Sequence, residues 1–259
     1  MNLNNYYLIE IQFLGYRFHG WQKQPQLKTV HLMIDRTINY VLENNKFKTL
    51  GAGRTDAMVS ANQTAFELFT ELPILNLEEF LKLVNTNLPQ DIRALNIKTV
   101  TKEFNVINHS KLKEYKYLFS EGTKNHPYCA PFITTFLDNL NIDLMKEGAK
   151  LFEGQHNFKS YCYKPNENGI FDREIIYCKI SINNTLKANF FPKKSYELTV
   201  RAKGFMRNQI RLMMGVLVEL GRGEVSLDYI KESLNTYNPK INYIAPASGL
   251  MLNKVDFID

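Results

Sequence analysis

Only three cysteines, Cys129, Cys162 and Cys178, occur in 259 residues, and no two are spaced as CxxC. An odd number without paired spacing argues against a disulfide framework and offers no zinc-knuckle pattern. His109, His126 and His156 stand at spacings from these thiols that fit no ligand signature, so no metal site is expected. No apolar run approaches the roughly 18–20 residues of a membrane helix, so no membrane partner is expected. Met1 to Glu10 lacks a basic head followed by an apolar stretch, which argues against a signal peptide. The expected compartment is the cytoplasm. The sequons at Asn62, Asn108 and Asn183 then carry no weight. Low-complexity segments and short repeats are also missing.

Apolar residues make up 44% of the chain and aromatics 12%. That excludes disorder as the dominant state and allows a sizeable core. The 32 Lys and Arg exceed the 26 Asp and Glu by six, which calls for an acidic partner. Residues 187–223 hold eight cations: Lys187, Lys193, Lys194, Arg201, Lys203, Arg207, Arg211 and Arg222. They hold two acids, Glu197 and Glu219. This stretch is 8 − 2 = +6 and the rest of the chain is 24 − 24 = 0, so the whole excess lies in one place.

Strand patterns, rich in β-branched and aromatic residues, occur at Tyr6 to Leu14, Ala65 to Phe69, Ile92 to Val100, Glu114 to Phe119, Arg173 to Ile182, Tyr196 to Ala202 and Met251 to Phe257. Their alternation suits antiparallel sheets with one covered face. Helical spacing occurs at Val30 to Leu42, Leu77 to Leu88, Leu144 to Phe152, Met206 to Leu220 and Leu227 to Leu234. Asn76 with Glu79 forms a capping box, and Ser226 is a cap. Met206 to Leu220 is apolar nearly all round and is expected to be buried. The order of elements predicts an α+β chain in two halves, residues 1–103 and 104–259.

The segment richest in chemistry is Gly51-Ala52-Gly53-Arg54-Thr55-Asp56-Ala57. Glycines let a backbone take positive φ or approach a ligand closely, and a carboxylate on such a loop faces a cleft. Taken alone, the segment also fits a turn with Asp56 as a helix cap. A phosphate cradle fits less well, because no Lys-Ser/Thr follows the glycines.

Gly51 to Ala61 (GAGRTDAMVSA) resembles the signature of the TruA-type tRNA pseudouridine synthases, AGRTDAGVHA. Six further segments resemble that family in order. They are Phe18-His19-Gly20-Trp21-Gln22, Asn87 to Arg93 (NLPQDIR), Tyr115-Lys116-Tyr117, Gly154 to Phe158 (GQHNF), Phe205 to Gly221, and Ala245 to Leu250 (APASGL). Together they run nearly the length of the chain.

The resemblance implies an isomerase that needs no cofactor. Such an enzyme cleaves the N-glycosidic bond of a uridine in tRNA, turns the base and rejoins it through C5. It implies Asp56 as the catalytic carboxylate, either capturing C1′ of the ribose or removing a ribose proton. It implies that Tyr115 packs on the target base and that Arg54 holds the target nucleotide out of its stack. Arg211 falls on the arginine of the family's MVRN segment, with Asp56 as its implied partner. An arginine in so apolar a stretch needs one, because a buried guanidinium is costly unless paired. Arg207 shares that helix face and either touches phosphate or is solvated. The loop with Lys187, Lys193 and Lys194 beside Phe190, Phe191 and Pro192 either follows an RNA backbone or is a solvated hairpin tip. The implied fold is two ferredoxin-like halves whose antiparallel sheets join around a central basic cleft. The implied target is the tRNA anticodon stem-loop at positions 38–40, and the implied assembly is a homodimer.

Several positions depart from the family pattern. Leu14 stands in its Tyr-Asp-Gly segment, and Met58 and Ser60 replace the glycine and histidine of GVHA. Ile107 replaces the arginine of ARFSA, Lys113 the arginine before YxY, Asn157 the aspartate of GxHDF, and Leu212 the MVRN asparagine. These bear on target choice more than on reaction type. Two other readings stand beside the enzyme. One is an RNA-binding relative or RNA chaperone without catalysis, and the other is a hydrolase that cleaves without rejoining.

Overall fold

The computed structural model describes residues 3–257. The chain is α+β and divides into two compact units. One comprises Met1–Lys111 with Met251–Asp259, and the other Leu112–Leu250.

The N-terminal unit runs β1 (Asn5–Phe13), α1 (Val30–Leu42), β2 (Phe47–Gly51), β3 (Ser60–Thr70), α2 (Leu77–Asn87) and β4 (Ile92–Thr99). Its sheet order is β4-β1-β3-β2 with every one of these pairings antiparallel. That is the ferredoxin-like β-α-β-β-α-β arrangement. Strand β1 buries Tyr7, Leu8, Ile9, Ile11 and Phe13. Helix α1 starts where the Thr29 hydroxyl accepts from Leu32 N–H, and it turns Val30, Ile34, Thr37 and Ile38 inward. Helix α2 starts as its capping box requires, with Asn76 Oδ1 accepting from Glu79 N–H at 3.1 Å. The last strand, β10 (Leu250–Phe257), joins this unit. It lies parallel to the start of β3, with Met251 opposite Ser60.

The C-terminal unit contains β5 (Ser110–Glu121), β6 (Thr134–Phe136), α3 (Ile142–Lys150), β7 (Gly154–Asn157), β8 (Asp172–Ile182), β9 (Tyr196–Ala202), α4 (Gln209–Gly221) and α5 (Leu227–Ser233). Its sheet order is β5-β9-β8-β7, all antiparallel, with short β6 parallel to the end of β5. The elements β5-α3-β8-β9-α4 repeat the first five steps of the ferredoxin-like order. Helix α4 is buried along its length apart from Arg211 and Glu219, which are half-buried. Its start falls later than the apolar pattern predicts. Asn208 takes a left-handed φ of +57°, and Gln209 Oε1 binds Met206 N–H at 2.8 Å, so the helix cannot form before Gln209. Among the described residues no helix is long and apolar enough to cross a membrane.

Candidate active site

In the N-terminal unit the loop between β2 and β3 carries Arg54, Thr55 and Asp56. It is pinned by the segment after β1. Trp21 N–H donates to Thr55 O at 3.2 Å, and Met58 N–H donates to Phe18 O at 3.0 Å. Gly20 sits at φ +84°, and a Cβ there would lie 2.6 Å from Thr55 O. A side chain at this position would push the loop away, so Gly20 is required by close approach as well as by conformation. Gly15 N–H donates to Ser60 Oγ at 2.9 Å, which ties the end of the loop to the turn after β1. The segments around Phe18–Gln22 and Gly51–Ala61 are therefore two sides of one structure. Trp21 is buried beneath it and stacks on His31, with ring centroids 5.5 Å apart. Asp56 is half-buried and Arg54 exposed. The Thr55 hydroxyl is buried and has no hydrogen-bond partner among the described residues, a state that costs about 1–3 kcal/mol.

In the C-terminal unit three further segments meet. Tyr115 and Tyr117 point to one face of β5. Tyr117 is fully buried, and its hydroxyl donates to Pro246 O at 2.8 Å and lies 3.0 Å from Thr134 Oγ1. Burial pushes this phenol's pKa far up, so it stays a neutral donor. Tyr115 is half-buried and meets Phe205 edge-on at 5.2 Å. Arg211, on the first turn of α4, donates from Nε to Ala245 O at 2.8 Å and from Nη1 to Asn208 Oδ1 at 3.2 Å. Ala245 N–H returns a bond to Arg211 O at 3.1 Å, and Leu118 N–H donates to Gly249 O at 2.8 Å. Residues 245–250 are thus a clip between β5 and α4 that orients the arginine. Lys113, two residues before Tyr115, has its ammonium pKa lowered by burial.

Asn208, Ala245 and Phe205 hold Arg211 and Tyr115 in place, yet no chemistry singles them out in the sequence. Only their position inside the Phe205 to Gly221 and Ala245 to Leu250 segments marked them. Two departures from the family pattern have internal roles. Ser60 binds Gly15 N–H, and Asn157 binds both Lys159 N–H at 3.2 Å and Asp172 Oδ1 at 3.1 Å. Arg207 is exposed and lies over the Tyr163 ring, 5.0 Å from its centroid. Among the described residues no group of three or more His, Cys, Asp or Glu side chains is placed to hold a metal ion.

A protein-family model described as tRNA pseudouridine synthase matches residues 149–257. Curated relatives match nearly the whole chain. A "tRNA pseudouridine synthase A" of Mesoplasma florum is 32% identical over 256 residues, 97% of this chain and 98% of its own. The chain belongs to the TruA-type family of tRNA pseudouridine synthases. The protein of the same name from Aquifex aeolicus is 30% identical, covering 96% of this chain and 98% of its own. That from Phytoplasma mali is 29% identical, covering 97% and 98%. Members of this family are isomerases, and the α+β units described above agree with the pseudouridine synthase fold.

Proposed function

We propose that the protein isomerises uridine to pseudouridine in the tRNA anticodon stem-loop, at positions 38–40, with Asp56 as its catalytic carboxylate. The observation that carries this reading is the loop at Arg54–Asp56, held by Gly20, Trp21 and Phe18 in a chain of this family. The reaction breaks N1–C1′, forms C5–C1′, releases the C5 proton and returns one proton to N1. Leaving of the uracil makes C1′ electrophilic, and a carboxylate answers by capturing C1′ or by removing a ribose proton. Arg211 is the cation that serves the carboxylate. Tyr115 packs on the detached base and keeps the fragments together while it turns. Arg54 holds the nucleotide out of the stem, against an unstacking cost of a few kcal/mol. The enzyme works in the cytoplasm as a homodimer without a cofactor.

Tritium release from C5-labelled uridine in tRNA tests the reaction. Asp56→Asn is expected to cut release by about 10³-fold or more while tRNA binding stays within about threefold. Undiminished release in this variant would remove Asp56 from its role. Wild-type protein that binds tRNA yet releases no tritium would favour the non-catalytic RNA-binding reading. Free uracil as product would favour a hydrolase. Sequencing of tRNA from a strain lacking the protein locates the target uridines, and a change outside positions 38–40 would overturn the assigned stem-loop. Sedimentation at micromolar concentration tests the dimer, and a monomer there would overturn it.

A further inference from the structure

Two loops of the C-terminal unit combine aromatic rings with cations and contain no acid. Residues 122–136 include Lys124, and residues 183–196 include Lys187, Lys193 and Lys194, without one Asp or Glu in either span. The acids at their edges are occupied. Glu197 is 2.9 Å from Lys116 Nζ and accepts from Thr185 Oγ1. Glu121 accepts from Leu140 N–H at 2.7 Å and from Tyr196 OH at 3.4 Å.

Tyr128 stands out of the first loop with 69% of its surface exposed. It meets His126 at 4.8 Å and Phe190 of the second loop at 5.9 Å, edge to face in both cases. The turn beneath it is held by hydrogen bonds. Pro127 opens the turn, Tyr128 N–H donates to His126 Nδ1 at 3.2 Å, and Asn125 donates to Ser120 Oγ at 2.7 Å. Buried Cys129 donates its thiol to Phe190 O at 3.1 Å and packs with Leu118 and Ile133. The two loops are thereby locked together under an exposed ring. Burial does not call for a tyrosine here, since over two thirds of its surface stays exposed. An aromatic face on loops that carry lysines and no acid is what an unstacked base and its phosphates require.

We propose that Tyr128, backed by His126 and Phe190, is a stacking platform for one unstacked nucleotide of the RNA substrate. Lys124, Lys187 and Lys193 contact its flanking phosphates. The proposal rests on the tRNA reading above and adds a second nucleotide contact to it. The His126 ring accepts at Nδ1, so its Nε2 carries the proton and donates outward to the base or a phosphate.

Binding of full-length protein to tRNA tests the platform. Stacking of one base corresponds to about 5- to 150-fold in affinity. Tyr128→Ala is expected to weaken tRNA binding within that range, while Tyr128→Phe stays within about twofold. A blunt RNA duplex, which offers no unstacked base, should bind Tyr128→Ala as it binds wild type. Wild-type affinity of Tyr128→Ala for tRNA would overturn the platform. So would an equal loss in Tyr128→Phe or on the duplex. A shift in oligomeric state at unchanged tRNA affinity would also overturn it, in favour of an interface between copies. Photo-crosslinking of 5-bromouridine tRNA to wild-type protein is independent of folding in the variants. The crosslinked peptide should contain Tyr128, and crosslinks confined to other peptides would overturn the proposal. Tritium release separates the two readings. Absent release with a Tyr128-dependent affinity would sink the proposed reaction and keep the platform. Normal release with Tyr128-independent affinity would do the reverse.

Discussion

Met58 holds a φ of +66° at the position where the family signature has glycine. A left-handed conformation costs an L-residue with a Cβ about 1–2 kcal/mol. The hydrogen bonds on either side impose it, from Met58 N–H to Phe18 O and from Val59 N–H to Asp56 O at 3.3 Å. Met58→Gly removes this strain and adds freedom to the unfolded chain, a partial offset. A net stabilisation of about 0.5–1 kcal/mol is expected, read as a higher Tm, and a lower Tm would place the decisive contacts in the Met58 side chain. Glu67 is a second residue held at a cost. It is fully buried on β3, with Oε2 accepting from Val106 N–H at 3.1 Å and Oε1 unpartnered among the described residues. Burial pushes its pKa up, against the pull of that N–H and of His109 and Lys48. The folded state therefore binds this proton more readily than the unfolded chain does. Its contribution is full below the unfolded carboxylate pKa and is lost as pH rises through the folded value. Urea melts should show wild type losing stability more steeply than Glu67→Gln from pH 4.5 upward. Parallel slopes would mean that Glu67 does not titrate there.

At the scale of elements, legibility followed whether the determining contacts are local. Helix α1 spans Val30–Leu42 as the pattern predicts, because its cap and its i, i+4 residues lie within one short segment. Strands β2, β6 and β7 carry no local signal in the sequence. They are short, and β7 reads Gly-Gln-His-Asn, with no apolar alternation at all. The same holds for the candidate site. Asp56 was legible as a charged residue on a glycine loop, but the strap from Phe18 to Trp21 that fixes it is a long-range pairing with no local signature. The clip at residues 245–250 is equally non-local, and it binds α4 through Ala245 and Arg211. A Cβ on Gly215 would lie 1.9 Å from Tyr243 O, so the helix and the segment leading into the clip touch backbone to backbone. Gly215→Ala should force them apart and destabilise the protein by about 1–3 kcal/mol or more, despite alanine's better helix propensity. Calorimetry reads this directly, and a rise in Tm would show that the clip yields freely.

For the whole molecule, the sequence order suggests a division after residue 103, whereas the first compact unit runs to Lys111 and also takes in the last strand. Phe257 packs there on Phe104 at 6.2 Å, beside the core of Leu8, Ala52, Ala65 and Val106. That return rests on strand pairing between distant segments, which composition cannot reveal. Charge behaves in the same way. The stretch that carries the whole +6 is less available than its arithmetic, since Arg201 pairs with Glu114, Arg222 with Asp138 at 2.7 Å, and Arg211 is bound to Ala245 and Asn208. Lys187, Lys193, Lys194, Lys203 and Arg207 are the exposed cations left in it. Each phosphate neutralised steepens the salt dependence of binding by about 0.7–0.9 in log–log slope, so this stretch supplies at most about 4.5. Lys203→Gln should shrink the slope of tRNA affinity against salt by about one, while Arg222→Gln should leave it nearly unchanged. Equal changes in the two variants would mean that the ion pair to Asp138 gives way to RNA and that the paired arginines belong to the binding surface.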